Sequence, residues 1–160
     1  MAFIRSSKFD SADGSFSKTI ELDPAFVQAF DGRANAFVRA GNYVLAFADY
    51  HRALELDPER AEAYGYRAFA FLQIGNFERG LGDFAKQIEL APHRIDVKIH
   101  YGYMALLVGD TMTASAAFTE ALRADSTNGK TYLLEVSKVF LGSGDEIQRG
   151  ERLFRRIGVK

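Results

Sequence analysis

The string Ile20-Glu-Leu-Asp-Pro24 returns as Leu54-Glu-Leu-Asp-Pro58 and again as Ile88-Glu-Leu-Ala-Pro92, with a step of 34 residues each time. Other columns keep that step. Gly41-Asn-Tyr is followed by Gly75-Asn-Phe and Gly109-Asp-Thr, Ala46 by Gly80 and Ala114, and Tyr50 by Phe84 and Phe118. Several independent columns on one period mean that the chain is assembled from copies of one supersecondary unit. A unit this short cannot bury its apolar face alone. It must do so by stacking on its neighbours, so a core without internal repetition is excluded.

Inside each unit, two amphipathic segments of about 14 residues are separated by Gly-Asn or Gly-Asp. Gly41 and Gly75 suit the left-handed position just past a helix end, and Asn42 and Asn76 can then cap the next helix. The Asp-Pro pairs at 23–24 and 57–58 end the second helix, because the residue before proline is pushed out of the helical region. Small residues stand where paired helices must approach closely: Ala34, Ala68 and Gly102 on first helices, and Ala46, Gly80 and Ala114 on second helices. Phe37, Phe71, Tyr50, Phe84 and Phe118 fill the spaces between. No alternating strand pattern persists, so an all-α fold is expected.

These columns resemble the tetratricopeptide repeat, a helix–turn–helix unit of 34 residues. The resemblance covers nearly the whole chain and implies a right-handed α-solenoid. It sets out one domain, 1–160, with an N-terminal half-unit at 9–26 and full units at 27–60, 61–94 and 95–128. A degenerate unit with a capping helix occupies 129–160. In that last part Val136 replaces the small residue, and Ser143-Gly144-Asp145 carries one extra residue at the turn. Arg149, Arg152, Arg155 and Arg156 alternate with Ile147, Leu153, Phe154 and Ile157 as on a solvated capping helix. The half-unit lacks a first helix. Its apolar face at Phe9, Phe16 and Ile20 is therefore expected to be covered by residues 1–8 or by a second copy.

Composition narrows the function. Twenty Lys and Arg against 21 Asp and Glu leave a net charge of -1, which supplies no overall field for nucleic acid or an anionic membrane. Cysteine is absent, so disulfides, thiolate metal sites and a cysteine nucleophile are excluded. No apolar run approaches the roughly 18 residues of a spanning helix. The N-terminal stretch lacks the apolar core of a secretory signal, and a cytoplasmic location is expected.

No motif carries catalytic chemistry. Gly80-Leu-Gly82-Asp-Phe-Ala85 matches a dinucleotide fingerprint but falls inside a second helix with no strand before it. Gly129-Lys-Thr131 resembles the end of a phosphate loop, with Ala124 where its first glycine belongs. His51, His93 and His100 have no metal-ligand spacing. Glu55, Asp57, Glu89 and Glu120 read as solvated charges at the ends or outer faces of second helices. The chain is therefore read as a non-enzyme without cofactor or metal.

What the resemblance implies is binding. In that family the first helices line the concave face at the second, fifth, sixth, ninth, twelfth and thirteenth positions of each unit. The matching candidates for a peptide-binding groove are Asn35, Arg39, Tyr66, Phe69, Gln73, His100, Tyr103 and Leu106. Asp31, Glu62 and Asp96 add an acidic edge, and Lys130, Leu133 and Ser137 extend the groove. Tyr66 and Tyr103 are the expected anchors. The carboxylate clamp of chaperone-binding repeats is absent, since Asp31 and Asp96 reverse its charge and only Asn35 fits. The asparagine ladder of the sugar-transferase type is absent too, with Gly32, Tyr66, His100 and Leu134 in its place. The expected function is a protein–protein adaptor with a peptide or helix as partner, and neither nucleic acid nor membrane. Two alternatives stay open: a module that forms a homodimer through the N-terminal half-unit, and an accessory domain of a larger enzyme.

Overall fold

The computed structural model describes residues 7–125 and residue 155, apart from the side chains of 7–13. The expectations for residues 1–6, for the fourth unit and for the capping helix lie outside the described residues. Seven helices run through the described part: α1 (Ser7–Leu22), α2 (Val27–Arg39), α3 (Tyr43–Leu56), α4 (Ala61–Gln73), α5 (Phe77–Leu90), α6 (Ile95–Leu107) and α7 (Thr111–Ala124). No strand occurs among the described residues. From α2 onward, alternate helices start and stop on the 34-residue step.

Local chemistry accounts for these boundaries. Gly41, Gly75 and Gly109 have φ of 75°, 75° and 82°, a backbone region that residues with a Cβ rarely enter. The next residue then caps the following helix. Asn42 Oδ1 accepts from the Leu45 N–H at 3.4 Å, Asn76 Oδ1 from Arg79 at 3.4 Å, and Asp110 Oδ1 from Thr113 at 3.0 Å. Helices α1, α3 and α5 each stop two residues before a proline.

The chain forms two compact units, residues 1–70 and 71–160. In the first, Ala34 of α2 and Ala46 of α3 pack with Tyr50 and Ala70, while Phe37, Val38 and Phe47 close the edges. The Phe16 ring of α1 lies directly over Gly32, where a Cβ would fall 2.4 Å from it. Phe16 stands one repeat before Tyr50, so α1 presents its aromatic ring at the same register as the later second helices. Arg33 ties three helices together. Its Nε and Nη2 donate to both carboxylate oxygens of Asp49 on α3 at 2.7 and 2.8 Å, and Nη1 donates to Ser17 Oγ on α1 at 3.1 Å.

In the second unit, Ile99, Tyr103, Ala105, Leu106, Ala114, Phe118 and Ala121 form one buried cluster between α6 and α7. The Tyr103 and Phe118 rings meet at 5.0 Å with an interplanar angle of 60°, a favourable tilted pairing. Phe118 also presses on Gly102, where a Cβ would lie 2.5 Å from its ring. Lys98, buried along its stem, donates to Glu120 Oε1 at 2.6 Å and links the same two helices.

Two mid-helix glycines therefore respond in opposite ways to the same substitution. A Cβ at Gly82 meets nothing within 4 Å, so Gly82→Ala is expected to stabilise by roughly 0.5–1 kcal/mol through backbone entropy. Gly102→Ala earns the same entropy but drives the Cβ into a fully buried ring. A net loss of about 1–3 kcal/mol is expected. Urea unfolding of both variants reads the difference directly. A lowered midpoint for Gly82→Ala, or a raised one for Gly102→Ala, would contradict the helix register described above.

Candidate functional site

The candidate residues divide between the two units. In the first, Tyr66 on α4 is 40% exposed and Phe69, one turn on, is half-buried. Arg39 is exposed at the end of α2. Asn35 is half-buried and structurally engaged: its Oδ1 accepts from the Tyr50 hydroxyl at 2.7 Å. Tyr50 is completely buried, and that burial, reinforced by the nearby Asp31 and Tyr66, holds its phenol well above the usual range.

Asp31 lies one turn before Asn35 on α2 and is buried. It pairs with the Arg60 guanidinium at the entrance to α4. Desolvation pushes the Asp31 carboxyl up, with the Arg60 hydrogen bond opposing it. Two of these arrangements, Arg33–Asp49 and Asp31–Arg60, escape a reading based on apolar columns. A sequence signal for the first exists, because the Arg–Asp spacing of Arg33 and Asp49 recurs at Arg67 and Asp83.

In the second unit, Gln73 is exposed. His100 is half-buried and stacks on Phe84, with ring centroids 5.9 Å apart and an angle of 16°. Tyr103 and Leu106 differ from expectation. Tyr103 has no exposed surface and Leu106 is buried in the same cluster, so neither is available as an anchor. The physical reason is the bulk of α7. Phe118 crosses over Gly102 and closes that part of α6.

Burial against Phe84 also sets the titration of His100. Desolvation lowers its pKa from 6.5 to about 4; Asp96 opposes this and Arg94 reinforces it. Because the folded value lies below the unfolded one, the unfolded chain takes up the proton first as pH falls. Full stability is therefore present above about pH 6.5, and a loss of about 2–3 kcal/mol is expected on reaching pH 4.5. The Asp96 carboxyl, held low by Arg94, loses its own contribution as pH falls through a more acidic range. Urea midpoints at pH 7 and 4.5 for wild type and His100→Leu separate the two. The variant is expected to lose most of the drop, and an unchanged drop would remove His100 as its source.

Among the described residues, no group of three or more His, Cys, Asp or Glu is placed to hold a metal ion. No described helix is long and apolar enough to cross a membrane.

No protein-family model matches the sequence, and none of the curated proteins matches it. Solved structures do. A crystal structure of MamA aligns with a TM-score of 0.71 at 16% identity, over 94% of this chain and 87% of that one. MamA 41-end from Desulfovibrio magneticus RS-1 aligns with a TM-score of 0.67 at 23% identity, over 76% and 68%. PilF of Pseudomonas aeruginosa aligns with a TM-score of 0.69 at 19% identity, over 96% and 71%. MamA and PilF are tetratricopeptide-repeat proteins. The chain has the tetratricopeptide-repeat fold, an all-α helical-repeat solenoid type.

Proposed function

We propose that this chain is a non-catalytic protein-interaction scaffold whose first helices take up a peptide or helix of a partner protein. One observation carries the reading. Of the aromatic groove candidates Tyr66, Phe69 and Tyr103, Tyr66 on α4 is the one left exposed, at 40%. Glu62 stands exposed one turn before it, and Phe69 lies half-buried one turn after it. Positions spaced by three and four residues share one helix face. An accessible aromatic ring with a polar rim is the usual make-up of a binding hot spot. The site residues retained in this proposal are Asn35, Arg39, Tyr66 and Phe69 of the first unit; Gln73 and His100 are retained as candidates of the second.

Tyr66→Ala is expected to weaken binding of a captured protein partner by about 2 kcal/mol, roughly thirtyfold. His51→Ala, on an exposed position of α3, should leave affinity within about 0.5 kcal/mol. Calorimetric titration of the purified pair measures both. Unchanged affinity for Tyr66→Ala with a loss for His51→Ala would move the site to the opposite face.

A second reading, self-assembly through the N-terminal part, is favoured by Leu22 and Phe26, which are 77% and 43% exposed. Light scattering at two concentrations decides it: a mass that rises with concentration supports self-assembly, and a constant monomer mass overturns it.

A further inference from the structure

Asp31 is only 4% exposed, yet its carboxylate is half satisfied. One oxygen is on the Arg60 guanidinium, and the other is buried without a hydrogen-bond partner. An orphaned buried acceptor is uncommon, because its lost hydration goes uncompensated. Arg60 is also the shared counter-ion of a larger group. Asp57, at the C-cap of α3, and Glu62, in the first turn of α4, both lie close enough to act on Asp31 and on Arg60. Three carboxylates thus act on one guanidinium, with Asp31 bonded to it, and among these four groups negative charge is in excess.

An aromatic ring borders the same place. Tyr66 follows Glu62 by one helical turn and is 40% exposed. Asp31 of α2 reaches the start of α4 through Arg60, the residue just before that helix, and Asn35, one turn beyond Asp31, accepts from the buried Tyr50 hydroxyl. Excess negative charge, an orphaned acceptor and an open aromatic face are together complementary to an ammonium or guanidinium group. An apolar or acidic side chain would leave the excess negative charge uncompensated.

We propose that Asp31, Glu62 and Tyr66 form a site for the cationic side chain, lysine or arginine, of a partner peptide. The proposal rests on the scaffold reading and specifies the partner's chemistry. The cation lies over the Tyr66 ring, Glu62 attracts it at the rim, and the Asp31 charge acts from beneath.

The probes are an end-blocked alanine peptide with one central arginine and the same peptide with norleucine in its place. Binding to the whole chain is followed by NMR titration of the backbone amide signals of α4, which every variant retains. The arginine peptide is expected to bind about tenfold tighter and to weaken as salt is raised. Glu62→Gln and Tyr66→Leu should each reduce its affinity about three- to tenfold. Both are exposed positions that leave the Asp31–Arg60 pair in place, so the fold is retained. Equal binding of the two peptides, or no binding of either, overturns the cation site, as does an arginine affinity indifferent to both variants. If the norleucine peptide binds equally and Tyr66→Leu weakens both, the cation site falls while the scaffold reading stands. If the captured partner also ignores Tyr66→Leu, the scaffold reading on this face falls too.

Discussion

Arg33→Ala is expected to cost about 3–5 kcal/mol of stability, the range for removing one member of a buried, hydrogen-bonded ion pair. The pair is bidentate, at 2.7 and 2.8 Å, and the Asp49 side chain left behind is only 9% exposed. The guanidinium also lies 5.8 and 6.0 Å from the Phe30 and Phe37 ring centroids, so truncation removes packing as well as charge. Because Arg33 also holds Ser17, hydrogen exchange in α1 should accelerate more than the global loss alone requires. Replacing both partners, Arg33→Met with Asp49→Leu, should recover most of the stability, since no charge is then left buried alone. A single-variant loss below about 1 kcal/mol would show that Asp49 finds water or another partner.

Tyr103→Ala is expected to destabilise by about 3–5 kcal/mol, as for other large-to-small aromatic substitutions in a core. The ring has no exposed surface and packs on Phe118 at 5.0 Å. Tyr103→Phe keeps that ring contact and should stay within about 1.5 kcal/mol of wild type. Tyr66→Ala should change stability little, because much of the Tyr66 side chain is already in water. Two tyrosines on first helices thus separate by assay: one is read in the unfolding midpoint, the other in partner affinity. A Tyr103→Ala variant as stable as wild type would return Tyr103 to the accessible surface.

The difference between these tyrosines shows where a one-dimensional reading stops. Both occupy positions that the family resemblance assigns to the open face, at the sixth and ninth places of adjacent units. A clue lay in the columns. Tyr103 precedes Phe118 by the same 15 residues that separate Asn35 from Tyr50, and both pairs are in contact. The ninth position therefore faces its own second helix in both pairs. At the sixth position, Gly32 admits the Phe16 ring and His100 stacks on Phe84, each ring belonging to the preceding second helix. Exposure at a given place then depends on how far the neighbouring ring reaches.

Where helices begin and end was legible from sequence. Gly41 and Gly75 adopt the left-handed conformation, Asn42 and Asn76 cap, and the prolines stop the preceding helices, because each effect acts within about four residues. The 34-residue recurrence extended that local information along the chain and, with it, the helical-repeat fold. Tertiary structure alone decided which polar groups meet and which first-helix residues stay open. Asp31 reaches Arg60 across 29 positions, Arg33 reaches Asp49 across 16, and Phe118 closes over Gly102 and Tyr103. Those outcomes depend on the volume and direction of side chains brought in from other helices, which the repeat columns hint at for Arg33–Asp49 and Tyr103–Phe118 but do not decide.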